Sequence, residues 1–161
     1  MPTSDQSAPM PARNTASEVL FTEKLWPTIW IWVVVVGLSS AGILMFAPIS
    51  AAAGLIAALV LLAVMTTLLV VTTPTITVTR DSLRVGRATI DRKFVGTTEA
   101  FKKGEATAER GTRLNGLAYM CFRGWIDAVV KIEITDPADR TPYWLVSSRR
   151  PDELVAALGG N

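Results

Sequence analysis

From Leu25 to Thr79 the chain runs for 55 residues without an Asp, Glu, Lys, Arg or His. A soluble domain carries about a quarter charged residues, spread along its length, so a gap this long does not belong to an ordinary globular surface. A hydrocarbon core about 30 Å thick is crossed by roughly 20 apolar residues at about 1.5 Å rise each. The run is therefore too long for one membrane helix and fits two with a short turn. Pro48 supplies the break, because proline lacks an N–H and clashes with the preceding helical turn. The expected helices cover about Trp26 to Ala47 and Ser50 to Val71, and their uncharged joint makes a tight hairpin with both ends on one side.

The remaining residues hold all of the charge, 16 Lys and Arg against 14 Asp and Glu. This divides the chain into a cytosolic tail and juxtamembrane segment (1–24), a two-helix transmembrane hairpin (25–73), and a β domain (74–161). Arg13, Lys24 and the Lys and Arg that follow Thr79 flank the hairpin, whereas its turn has none. Basic flanks stay in the cytoplasm, so a multi-pass protein of the cell membrane with both termini cytoplasmic is expected. The apolar run exceeds the usual signal-peptide core and a second span follows at once, which argues against cleavage. A single cysteine, Cys121, excludes an intramolecular disulfide and agrees with a reducing compartment. A net charge of +2 is too mild to argue for nucleic acid.

Residues 1–16 are rich in Pro, Ser, Thr and Ala and are expected to be disordered. Residues 17–25 mix Val19, Leu20, Phe21 and Leu25 with three charges, which suits a short interfacial helix or an extension of the first span. Trp26, Trp30 and Trp32 crowd one end of that span, where indole rings sit well at a headgroup interface. Gly37 with Ala41, and Gly54 with Ala58, have the four-residue spacing of small residues that lets membrane helices approach closely. They are expected to pack the hairpin, or to dock on a partner's helices, with Ser39, Ser40, Thr66 and Thr67 adding interhelical hydrogen bonds. No acid or base lies inside the spans, so a proton relay or ion pathway has no support.

After Pro74 the pattern changes to period two. Ile76 and Val78 alternate with threonines, Arg80-Asp81-Ser82 makes a turn, and Leu83-Arg84-Val85 resumes the alternation as a hairpin. The parity then slips at Gly86, which marks a bulge or tight turn and turns Ala88 and Ile90 inward, leaving Arg84 and Arg87 outward. Further strands are expected over Phe94 to Phe101, Leu117 to Trp125, about Val130 to Ile134, and Tyr143 to Ser148, with a long polar loop over residues 102–116. Pro151, Asp152, Glu153 and Gly159 frame a helix whose inner face carries Leu154, Val155 and Leu158. The sum is a membrane helix hairpin with a small antiparallel β domain and one C-terminal helix.

The stretches ITVTRDSLRVGRATI and TPYWLVSSRRPDELVAAL, placed after a two-helix hairpin, resemble the uncharacterised actinobacterial two-pass membrane proteins grouped as domain-of-unknown-function family 3093. The order of elements is also similar to that of bacterial pleckstrin-homology-like membrane proteins, which implies a bent sandwich of antiparallel sheets capped by a helix. The resemblance brings no activity, substrate or catalytic residue with it.

The chemical inventory is narrow. With no His and one Cys, neither a Ser-His-Asp triad nor a usual zinc site can be assembled, and no phosphate-binding glycine loop is present. Asp136 and Asp139 flank a proline turn but supply too few ligands for calcium. Cys121, between Met120 and Phe122, reads as a small core residue. No cofactor and no catalytic residue are expected. One basic constellation stands out: Arg84, Arg87, Arg92, Lys93, Lys102 and Lys103. It is either a surface for anionic lipid or an acidic partner, or simply the wet side of a half-buried strand. The expected function is that of a non-enzymatic membrane adaptor or accessory subunit, docking on other integral membrane proteins through its hairpin and β domain. The alternative is a module on the cytosolic face that binds or senses anionic lipid.

Overall fold

The uncharged run folds as two helices joined at Pro48. In the computed structural model, which describes residues 18–159, α1 spans Ile29–Phe46 and α2 spans Ala51–Val71. The tail expected over residues 1–16 lies outside the described residues. Ser50 caps α2, its Oγ accepting the Ala53 N–H at 3.1 Å, which satisfies one of the donors that a helix start leaves free. α1 begins later than expected, because Pro27 is buried ahead of it and Thr28 is the extended residue from which it starts. Both helices are apolar all round and long enough to cross a membrane. They leave large side chains such as Ile29, Leu44, Ile56 and Leu68 exposed. The hydroxyls of Ser39 and Ser40 do not bridge the two helices. Each donates back to its own helix, to the carbonyls of Val35 and Val36.

The segment before α1 is a strand rather than a helix. β1, Val19–Lys24, pairs antiparallel with β2, Thr75–Thr79, with Lys24 opposite Thr75 and Phe21 opposite Val78. Phe21, Glu23 and Leu25 point inward while Thr22 and Lys24 face out, a period of two that six residues can show only in a strand. The helix hairpin is thus inserted between two neighbouring strands of one sheet. The folded body takes in residues 19–25 as well as those after Pro74, so the boundary drawn at residue 24 cuts through it.

β3, Ser82–Val85, and β4, Ala88–Asp91, complete a four-stranded sheet in the order β1-β2-β3-β4. The parity slip is a two-residue turn. Val85 pairs with Ala88, and Gly86 between them has φ of 60°, which a residue without Cβ adopts freely. The second sheet contains β5 (Val95–Phe101), β6 (Tyr119–Cys121), β7 (Val129–Ile134) and β8 (Tyr143–Ser147), in the order β5-β7-β8-β6. It is mixed, not purely antiparallel, since β6 runs parallel to β8. The strand expected over Leu117 to Trp125 contracts to the three residues of β6. The expected polar loop contains an eight-residue helix, α3, Lys103–Arg110. The C-terminal helix, α4, spans Pro151–Ala157.

The two sheets and α4 share one core. Ile76, Val78, Leu83 and Val85 from the first sheet join Ile132, Trp144 and Val146 from the second, with Leu154 and Leu158 from α4. A smaller cluster of Ala106, Ala118, Val129, Tyr143 and Leu145 lies on the other face of the second sheet. β8 is therefore buried on both faces, which is why Tyr143-Trp144-Leu145-Val146 is a continuous apolar run and not an alternation. α3 is held there by polar contacts that its sequence does not advertise. Glu109, almost fully buried, accepts from Lys131 at 3.1 Å and from Arg113 at 3.4 Å, and Arg110 donates to the carbonyls of Ile126 and Asp127.

A second buried carboxylate ties the ends of the chain together. Glu23 on β1 accepts the Ser148 hydroxyl at 2.5 Å and the Arg149 N–H at 2.8 Å, just ahead of α4. Replacing Glu23 by Ala strands the buried Ser148 hydroxyl and the part-buried Arg149 N–H, and an unmet buried donor costs on the order of 1–3 kcal/mol. Glu23→Ala is therefore expected to lose about 3 kcal/mol of stability, read from denaturant unfolding of the detergent-solubilised protein. Leu20→Ala, at an exposed neighbouring position, should change it by less than about 0.5 kcal/mol.

Candidate functional site

Three pieces of chain meet where α2 ends. The first is the link Thr72-Thr73-Pro74 into β2. The second is the Gly86-Arg87 turn, whose Gly86 N–H donates to the Thr75 carbonyl at 2.9 Å. The third is β6 and the residues after it. There the Tyr119 hydroxyl donates to the Val85 carbonyl at 3.1 Å, and Arg123 donates to the Thr72 carbonyl at 2.5 Å. Together they enclose a cleft of about 690 Å³.

The walls of this cleft carry one sign of charge. Arg84, Arg87 and Arg123 line it with four threonines, Thr72, Thr73, Thr75 and Thr77, and no carboxylate does. Arg84 and Arg87 are exposed and have no acidic partner among the described residues. Burial raises the pKa of the Tyr119 hydroxyl and of the Cys121 thiol, so both line the cleft as neutral groups. Such a surface can take an anion through charge-assisted hydrogen bonds.

The fold divides the six basic residues singled out in the sequence. Arg84 and Arg87 reach the cleft. Arg92 lies at the opposite end of the sheet, donating to the Thr79 carbonyl at 3.2 Å, with Lys93 beside it on Asp91 at 3.4 Å. Four residues of extended strand, about 13 Å, separate Thr79 from Thr75 at the cleft. Lys102 follows the second sheet and pairs with Asp152 of α4 at 2.6 Å, and Lys103 opens α3 with φ of 51°. Arg123, which completes the cleft, is not among the six. The only sign of it in the sequence is a cation placed directly after the apolar stretch that forms β6.

The aromatic group stays together at the start of α1. Trp26 and Trp30 are exposed and Trp32 half-buried, the Lys24 ammonium lies 4.2 Å from the centre of the Trp26 ring, and Arg149 donates to the Trp26 carbonyl at 2.5 Å. Of the small-residue pairs, Gly54 and Ala58 are buried in the helix contact, while Gly37 and Ala41 face outward. α1 meets α2 through Val35, Ser39 and Gly42 instead. A Cβ on Gly42 would fall 2.9 Å from the Ala58 backbone nitrogen, whereas one on Gly37 would meet nothing within 4 Å. Among the described residues no three His, Cys, Asp or Glu side chains gather where they could hold a metal ion.

The family model described as "Protein of unknown function (DUF3093)" matches residues 20–158. The chain belongs to the DUF3093 family. No curated protein and no solved structure matches it. The matched span opens inside β1 and closes at Leu158, the C-cap just after α4, so the strand ahead of the hairpin lies within the DUF3093 unit.

The helix contact gives a paired test. Gly42→Ala pushes a methyl against backbone that cannot give way, at an expected cost of about 1–3 kcal/mol. Gly37→Ala is expected to leave stability unchanged or raise it by less than about 1 kcal/mol, since alanine is the better helix former. Thermal unfolding of both variants in detergent checks the difference.

Proposed function

We propose that this DUF3093 protein is a non-enzymatic accessory subunit of the cell membrane, in which α1 and α2 cross the bilayer and the β body stands on the cytoplasmic side as a fixed platform. The observation that carries this reading is the double clasp at the foot of the hairpin. Arg149 holds the Trp26 carbonyl ahead of α1, and Arg123 holds the Thr72 carbonyl after α2. With β1 and β2 paired directly beneath, the helices and the body have no free linker between them, so a force or contact at one is felt at the other. A tethered domain that worked alone would not need this coupling. A subunit that fixes the position of a partner relative to the membrane does.

Exposed apolar side chains over the faces of both helices that do not pack on each other favour lipid or other helices as their surroundings. Basic flanks on the body side favour the cytoplasm, by the positive-inside rule. The outward Gly37 and Ala41 on α1 suit a helix of another integral membrane protein, because small residues permit close backbone approach. Two four-stranded sheets closed by a C-terminal helix support a pleckstrin-homology-like body, from which the parallel β6–β8 pair is a departure.

Two measurements test this reading. A reporter fused after Asn161 is expected to read cytoplasmic, and a periplasmic signal would overturn the orientation. Gly37→Leu is expected to keep the stability of the isolated protein while losing the membrane proteins that copurify with it in mild detergent. An unchanged set of copurifying proteins would remove α1 from the docking surface.

A further inference from the structure

We infer that the cleft at the foot of α2 binds the phosphate of an anionic lipid headgroup, held by Arg84, Arg87 and Arg123. This site rests on the reading that the hairpin crosses the membrane, and it assigns the body a ligand that docking on a partner does not require.

The argument begins with unmet charge. Arg80, Lys93, Lys102 and Arg150 on the same body each pair with a carboxylate. Arg84 and Arg87, close together on β3 and its turn, have none among the described residues. Arg123 is oriented by the Thr72 carbonyl and by the Phe122 carbonyl at 3.5 Å, contacts that leave other donors of its five-donor fork free. Three guanidinium groups around one cleft repel one another unless an anion sits between them. Guanidinium matches a phosphate by two parallel N–H donors. The Thr75 and Thr77 hydroxyls line the same space, whereas those of Thr72 and Thr73 donate to the Leu68 and Leu69 carbonyls of α2.

The source of that phosphate follows from position. Val71, the last residue of α2, lines the cleft together with Thr72 and Thr73. An 18-residue stretch of α2 has a mean hydropathy of 2.8, and if the helix spans the hydrocarbon core its last turn reaches headgroup depth. Trp26 and Trp30, exposed at the same end of the hairpin, have the composition of an interface belt. The cleft volume of 690 Å³ leaves room for a phosphodiester and its small alcohol, within the range of pockets that take small ligands. A headgroup is delivered there by the bilayer itself, whereas free phosphate would have to be drawn from solution.

The test uses the full chain in detergent after delipidation, with dioctanoyl-phosphatidylglycerol, dioctanoyl-phosphatidylcholine and inorganic phosphate as probes. Binding is followed by native mass spectrometry and by the shift in thermal unfolding. The wild-type protein is expected to prefer phosphatidylglycerol. Arg84→Gln with Arg87→Gln should weaken that binding about 30-fold, the effect of removing two surface arginines near an anionic headgroup. Arg80→Gln with Lys93→Gln, an equal loss of charge at the far end of the sheet, should leave it within about twofold. Because Arg84 and Arg87 are exposed and unpaired, their replacement should leave the unliganded melting temperature unchanged, which separates lost binding from lost folding. Equal binding of the two lipids, equal weakening by the two double variants, or binding of inorganic phosphate alone would each overturn the site. Release of the protein from membranes by alkaline carbonate would overturn the membrane reading itself, independently of the lipid titration.

Discussion

Lys24 and Thr75 face each other across neighbouring strands, and the rest of the molecule is arranged around that pairing. An antiparallel β pair and an antiparallel helix pair follow one another without a break, so the apolar hairpin leaves and re-enters the body through adjacent strands. Both ends of the hairpin are thereby fixed to one side of whatever the helices cross. The pairing also places the start of α1 and the end of α2 over the same edge of the body, within reach of Arg149 and Arg123. Without β1 the first sheet would lose an edge strand, and Glu23 would no longer meet the turn ahead of α4.

The body resolves its buried charge by pairing each carboxylate with at least one group from a distant part of the chain. Glu23 accepts from Ser148 and Arg149, and Glu109 accepts from Lys131 and Arg113. A buried carboxylate stabilises little by itself, because desolvation offsets most of its attraction, but removing its partners is costly. These two glutamates therefore specify more than they stabilise. One fixes how the N-terminal strand meets the C-terminal helix, and the other fixes α3 against the outer face of the second sheet.

The same logic separates the cations. Arg80, Arg92 and Lys93 at the far end of the first sheet, Lys102 and Arg110 at the two ends of α3, and Arg149 and Arg150 just ahead of α4 are matched by acids or carbonyls, whereas Arg84 and Arg87 converge with Arg123 on a cleft that holds no acid. A sum over the sequence, mildly basic and evenly mixed, hides this separation. The platform proposed for partner binding and the anion site proposed at its base share one structural cause, the rigid joint between hairpin and body. Arg123 serves both, since it holds the end of α2 and lines the cleft.

Features whose partners are near in sequence were legible in it. The two helices and the break at Pro48 follow from an uncharged run of fixed length. The β2–β3 hairpin, the alternation of β7 and the start of α4 follow from local period and turn chemistry. Outward Arg84 and Arg87 follow from the parity on either side of Gly86, and Gly54 with Ala58 from small-residue spacing. Features whose partners are far away were decided only by the tertiary structure. β1 is a strand because β2 lies on the other side of the hairpin, and α3 is a helix because Lys131 and the carbonyls of Ile126 and Asp127 hold it. Gly42, not Gly37, lies in the helix contact because helix rotation is set by how two surfaces interlock, which spacing on one helix cannot reveal. Arg123 joins Arg84 and Arg87 because β6 pairs in parallel with β8, a contact that no local pattern encodes. Periodicity acts over a few residues, whereas strand pairing and charge convergence depend on which distant segments can bury surface together.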